Sequence, residues 1–282
     1  MFTFWVFNFL AIILISPSHL SGSLAEGVPE VPSFFSLLFH GKDTPVAQFL
    51  REWETVFFSI LSALFISVIF CLGARYKELL PQRFQNLVEY IVEAFQKFAM
   101  ELIGPEGKKF VPFLGTLFIY ILTMNWLAVV PLVPPPSSNL SVTAALAICV
   151  FAFVQFLSIK NFGFFGYLHH LSGSPKGVGE WLMVPLMFPI ELLTQLSRPL
   201  TLAFRLFGNV LGEDILIGTF ALFGVTLFAA SQFPIALPLQ LPFMFFAMLT
   251  GVMQALVFTL LSAIYILLAM PSKESFEFVT ER

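Results

Sequence analysis

The sequence predicts an all-α integral membrane protein. It should have about five transmembrane helices, the last two long and steeply tilted as a hairpin, plus an amphipathic helix at the interface. Three observations carry that prediction. Hydrophobic residues make up 58% of the 282 positions and charged residues only 11%, against about 45–50% and 25% in soluble domains. Mean hydropathy is +0.90, so too little polar surface remains to cover a water-soluble fold. Uninterrupted apolar runs reach the roughly 20 residues that a helix needs to cross a bilayer core of about 30 Å. These runs are continuous rather than alternating, so helices are the spanning structure they form. The same arithmetic excludes a soluble enzyme and a disordered regulator. At a net charge of −3 the chain has no basic face for a nucleic acid.

Taken in order, residues 1–25 open with the apolar stretch Phe2–Ile15 followed by Ser23-Leu24-Ala25, which resembles a signal-peptide core and cleavage site. The basic n-region is missing, so the segment reads either as a cleaved leader or as an extra anchor. Residues 26–54 form an extracytoplasmic segment, and residues 55–282 the membrane domain. Charge-free or nearly charge-free runs predict spans at about 55–74, 110–131 and 142–159. Between the first two, Pro81–Gly104 places Phe84, Leu87, Val88, Ile91, Phe95, Phe98 and Leu102 at helical spacing, with Glu89, Glu93, Lys97 and Glu101 on the other side. That is an interfacial amphipathic helix.

The C-terminal part carries no charged residue from Ile215 to Ser272. Its break is Ser231-Gln232-Phe233-Pro234, with Pro238 and Pro242 beyond. The two resulting spans, 181–230 and 235–270, would be roughly 75 and 54 Å long as helices. Neither fits upright in the bilayer, so both must tilt or bend, and Pro185, Pro189 and Pro199 offer bending points. Orientation follows from the basic residues. Ten of them, from Arg75 to Arg282, fall in alternate loops or the tail, and only Lys42 and Arg51 fall on the other face. The positive-inside bias puts the N-terminus outside and the C-terminus in the cytoplasm. Cys71 and Cys149 have no Cys or His neighbour at metal-ligand spacing and read as small buried hydrophobes. No metal or cofactor is expected.

One apolar segment concentrates the ionisable groups: Glu191, Arg198, Arg205, Glu213 and Asp214. Each costs about 2.5–3.5 kcal/mol in a membrane even on the insertion scale, so such groups are functional candidates by default. Glu191, Arg198 and Arg205 recur every seven residues and nearly superpose on a helix, with Asn209 close to the same stripe. Arginine stays protonated and cannot hand protons on, but it fixes a positive potential and repels cations. A carboxyl group in a poorly solvated pocket binds and releases protons nearer neutrality. The track therefore looks like a fixed barrier with relays on either side. The bland alternative is an internal salt bridge, Glu191 with Arg198, serving packing alone. In the last span Gln254 is the central polar group, with Ala247, Gly251 and Ala255 as small neighbours that admit another helix.

Ser197 through Asn209, reading SRPLTLAFRLFGN, resembles the signature of subunit a of F-type ATP synthase. Asn125 through Pro131, followed by Pro136-Ser137 and Val142-Thr143, resembles that family's second-span pattern. Gln254-Ala255-Leu256-Val257-Phe258, then Tyr265, resembles its last helix. The resemblance runs from about Trp53 to Met270. It implies a stator subunit beside a rotating ring of c subunits, with the b subunits of a peripheral stalk and the remaining synthase subunits as partners. It further implies that Arg205 faces the ring's carboxylates, that Asn209 and Gln254 are its polar neighbours, and that Asp214 with Glu213 lines an aqueous half-channel. Glu191 matches a further half-channel acid and Arg198 an accompanying basic position. Where the family often carries a His or Glu, this chain has Ala247.

The implied mechanism is that a proton enters one half-channel, neutralises a ring carboxylate and is released near Arg205 to the other side. A charge crossing 100 mV delivers about 2.3 kcal/mol, so rotation must pool several. The chain has no P-loop and no nucleotide site. The implied location is a bacterial inner membrane, with a thylakoid membrane second. The rival reading is a secondary ion or solute transporter, which broken helices and midplane charges would suit, although no inverted repeat is visible. An intramembrane enzyme finds neither clustered aspartates nor a Ser-His pair; His169 and His170 fall in a predicted cytoplasmic loop.

Overall fold

The computed structural model describes residue 49 and residues 53–75, 83–130, 133–171, 184–231 and 239–270. The leader-like segment, most of the extracytoplasmic segment, the 232–238 break and the C-terminal tail lie outside the described residues. So do the side chains of His169 and His170. Among the described residues six α-helices follow one another: α1 Glu54–Arg75, α2 Arg83–Ile103, α3 Val111–Leu127, α4 Leu140–Leu171, α5 Val184–Ser231 and α6 Leu241–Leu268. Short 3-10 turns, Pro105–Phe110 and Pro136–Ser138, lead into α3 and α4. Prolines at the start of each turn suit positions whose N–H would go unpaired anyway.

Among the described residues four stretches are long and apolar enough to cross a membrane by length and composition: Glu54–Leu72, Pro105–Leu127, Leu140–Gly163 and Leu241–Leu268. The predicted fifth, α5, is a single helix of 48 residues that holds Pro189 and Pro199. It carries five ionisable groups, Glu191, Arg198, Arg205, Glu213 and Asp214. The third span runs further than predicted, to Leu171, with a break at Gly163. Gly163 has φ 71° and ψ 165°, a region that only glycine enters without strain.

α3 lies at the centre of the packing, against α1, α2 and α6, while α4 packs along α5. The core is Leu114, Leu117, Ile121 and Met124 of α3 with Leu146 and Val150 of α4, Leu202, Leu206 and Val210 of α5, and Phe258 and Ile266 of α6. On α2, Ala99 and Ile103 are buried and Phe95 packs on Phe118 with ring centroids 5.0 Å apart. Its acidic side, with Glu89, Glu93 and Glu101, is exposed. The expectation that both cysteines are buried fails: Cys71 is exposed and Cys149 half-buried. α1 is apolar all round, so nothing in its sequence marks the side turned away from its neighbours.

Polar contacts fix the helix register. Ser59 on α1 and Tyr120 on α3 share a hydrogen bond of 2.6 Å. Within a membrane such a bond is worth about 0.6–1 kcal/mol. Tyr120→Phe should lower stability by about that much, measured by detergent-induced unfolding, with helix content unchanged.

α6 meets α3 closely at Gly251, where an added Cβ would lie 3.2 Å from Asn125 Cβ. There Asn125 Nδ2 donates to the Gly251 carbonyl at 3.3 Å and Trp126 Nε1 to the Met248 carbonyl at 3.2 Å.

Candidate functional site

The site is built on α5 and α6, which run antiparallel in a constant register. Arg198 lies over the Tyr265 ring, 5.2 Å from its centroid. Asn209 Nδ2 donates to Gln254 Oε1 at 2.8 Å. Phe220 stacks on Phe243 with centroids 4.1 Å apart. Each step of eleven residues along α5 is matched by eleven back along α6. Eleven residues make three turns of a straight helix, so one face of α5 keeps meeting one face of α6. Glu213 and Thr250 fall in the same register, the Thr250 hydroxyl donating to the Phe246 carbonyl of its own helix at 3.0 Å.

Arg205 is exposed, on a face of α5 that also shows Leu200, Phe204, Gly208, Asn209, Gly212 and Leu216. It has no hydrogen bond or ion pair among the described residues. An added Cβ at Gly208 or Gly212 would meet nothing within 4 Å, so this surface is open beside the guanidinium. Behind it Leu202, Leu206 and Val210 are buried, which holds the helix in one rotational setting. Gln254 is 5% exposed and accepts from Asn209, while its amide nitrogen is buried without a partner among the described residues. Ala247 is 1% exposed, so a methyl group fills the position where an ionisable group would stand. Small Gly251 and Ala255 do admit a close neighbour, and that neighbour is α3.

Glu191 and Arg198 are brought to a different place. Both line a cavity of about 240 Å³ between α4, α5 and the end of α6, together with Gln155, Ser158, Tyr167, Gln195 and Tyr265. The internal salt bridge weighed between them does not form: Arg198 takes the face of Tyr265 instead, a cation–π contact that keeps the guanidinium out of ion pairing with Glu191. The seven-residue stripe therefore splits. Glu191 and Arg198, facing α4 and the end of α6, are half-buried while Arg205 is exposed. Glu213 and Asp214 are half-buried further along α5, and Asp214 has an interaction of its own.

Distances along the helix axis set the arrangement. At about 1.5 Å per residue, Glu191 stands about 21 Å before Arg205 and Asp214 about 13 Å after it. Acids thus stand at both ends of a segment about as long as a bilayer core is thick, with the exposed cation between them.

Sequence reasoning did not single out Gln155, Gln195, Tyr167 or Thr250. Gln155 and Gln195 carried a usable signal, uncharged but polar side chains inside apolar helices. Tyr167 carried none, since its placement depends on the turn at Gly163.

Residues 56–267 match the sequence model of the family described as ATP synthase A chain. The ATP synthase subunit a of Protochlamydia amoebophila is 61% identical over 244 residues, which cover 86% of this chain and 90% of that protein. The Solidesulfovibrio magneticus protein of the same name is 36% identical, over 76% of this chain and 82% of its own length. A Helicobacter pylori ATP synthase subunit a is 34% identical, over 77% and 89%. With most of its length matched and both site helices inside the matched region, this chain belongs to the ATP synthase A chain family.

Proposed function

We propose that the chain is the ion-translocating stator subunit of a rotary F-type ATP synthase, and that Arg205 is the fixed charge against which carboxylates of a rotating c-subunit ring give up their protons. The observation that carries this is the exposed guanidinium, without a hydrogen bond or ion pair among the described residues, on an apolar face next to the Asn209–Gln254 hydrogen bond. A cation buried in its own bundle would be neutralised there, whereas this one is available to a neighbour. Two residues without side chains in the turns that follow it, Gly208 and Gly212, would let the ring's helices approach closely.

Glu213 and Asp214 would line one half-channel, and Glu191 with Arg198 the other. A ring site would exchange its proton with one at a time. Arg205 would block direct passage by electrostatic repulsion of any cation between them. In this reading α5 and α6 are steeply tilted and bear on the ring's curved wall. A helix of 48 residues cannot stand upright in a core of about 30 Å. The remaining partners would be the b subunits and the rest of the complex. The setting would be a bacterial inner membrane with the C-terminus in the cytoplasm.

The test is proximity. In assembled complexes with Cys71→Ser and Cys149→Ser, a Gly208→Cys substitution should form a disulfide with a cysteine placed beside the ring's carboxylate. A Glu101→Cys control should not. Failure at Gly208 with cross-linking at Glu101 would refute the proposed ring-facing surface. The transporter reading is separated by reconstituting this chain alone, since a transporter moves its substrate unaided and a stator conducts nothing without its ring. Gln254→Leu should assemble normally yet slow ATP-driven proton pumping several-fold, since it strips Asn209 of its acceptor beside Arg205. Unchanged pumping in that variant would remove Gln254 from the site.

A further inference from the structure

Twelve residues separate Gln155 from Tyr167 on the same element, yet the Tyr167 hydroxyl lies 2.6 Å from Gln155 Oε1. On a straight helix they would stand about 18 Å apart, beyond their joint reach. The break at Gly163 turns the segment after it back over the cavity. From there the same hydroxyl also lies 2.7 Å from Gln195 Oε1 on α5. Gln155 Nε2 donates to that Gln195 oxygen at 2.9 Å, closing a three-membered hydrogen-bonded ring. A phenol has one proton to give, so it donates to one amide oxygen at a time and the junction can switch between α4 and α5.

All three side chains line the cavity that holds Glu191 and Arg198. Nearby, Asn161 Nδ2 donates to the Ala269 carbonyl at 3.1 Å, which ties α4 to the residue just after α6. Gln155 and Gln195 are polar in otherwise apolar helices, and their side chains join α4 to α5 both directly and through the Tyr167 hydroxyl.

We propose that Tyr167, anchored by Gln155 and Gln195, is a hydrogen-bonded cover over the Glu191–Arg198 cavity and controls the access of water and ions to that pair. The cover rests on the reading of this cavity as one of the two ion paths. Tyr167 acts through position: its hydroxyl pins a folded-back segment, and the glycine at 163 supplies the backbone turn that no residue with a Cβ adopts freely. The cavity has room for several waters, so opening the cover connects Glu191 to bulk solvent and closing it leaves a small internal pool.

The test uses the assembled complex with Cys71→Ser, Cys149→Ser and Ser158→Cys, Ser158 being a buried lining residue. Its rate of labelling by the water-soluble reagent 2-aminoethyl methanethiosulfonate is measured without turnover. Tyr167→Phe keeps the ring and removes the pin, and should speed labelling several-fold, up to about tenfold for one lost hydrogen bond. Gln155→Leu should act alike, and the pair together should add little to either alone, because both break one junction. A cysteine in place of exposed Glu101 should label at the same rate in every variant. If Tyr167→Phe does not assemble, Gly163→Ala is read in the same way, since it keeps the hydroxyl and displaces the segment that carries it. Labelling at an unchanged rate overturns the proposal. Pumping at the full rate in Glu191→Gln complexes would instead refute the ion-path reading of this cavity, and the labelling result would stand apart from it.

Discussion

Arg205→Ala is expected to abolish ATP-driven proton pumping while leaving the complex assembled. Assembly should survive because the side chain is exposed and makes no hydrogen bond or ion pair among the described residues. Its removal takes nothing from the core, where Leu202 and Leu206 hold the helix. Pumping should not survive, because without the cation nothing favours ionisation of a carboxylate in an apolar interface, and nothing blocks cations between the two acid groups. Arg205→Lys should come close to the same loss. An ammonium sheds its proton when desolvated and offers a single point of charge, where a guanidinium stays charged and spreads its donors across a plane. The measurement is quenching of a pH-sensitive dye by membrane vesicles, with subunit content checked on the same vesicles. Pumping by assembled Arg205→Ala complexes would remove Arg205 from the mechanism.

Gly251→Leu is expected to cost the chain its fold rather than its chemistry. A single Cβ at that position would already come within 3.2 Å of Asn125 Cβ and 3.6 Å of Trp126 Cδ1. Leucine adds three more carbons, which must push α3 and α6 apart. That separation breaks the bonds from Asn125 and Trp126 to the α6 carbonyls. Overpacking costs about 1–3 kcal/mol, and each lost interhelical bond adds about 0.6 kcal/mol. The sum is a large fraction of a typical stability. The subunit should be depleted from membranes in an immunoblot. Gly251→Ala, which needs a shift of only a few tenths of an ångström, should persist. Equal levels of the two variants would show that the close contact is not structurally required.

Much of this was legible in the chain itself. The amphipathic helix of residues 83–103 was readable because one side is charged and the other apolar, and that contrast survives in any environment. The positions of Arg205, Asn209 and Gln254 were readable because a polar group stands out in an apolar helix. The family resemblance implied that Asn209 and Gln254 both neighbour Arg205, while their bond to each other came only from the structure. Burial was far less legible. α1, α3 and α4 are apolar on every side, so their sequences do not distinguish a face against protein from a face against lipid, and Cys71 was misplaced for that reason. Likewise nothing local said that Arg198 would choose the Tyr265 ring over Glu191.

The sequence by itself determined the class of protein, its apolar helices and the positions that carry charge within them, because those depend on composition and on short-range periodicity. Only the tertiary structure decided which of those charges face outward and which share a cavity. It alone set the register between α5 and α6 and folded Tyr167 back onto Gln155 and Gln195. These outcomes depend on contacts between residues far apart in the chain, made where protein and lipid are equally apolar, so side-chain fit and hydrogen bonds settle them and hydropathy does not.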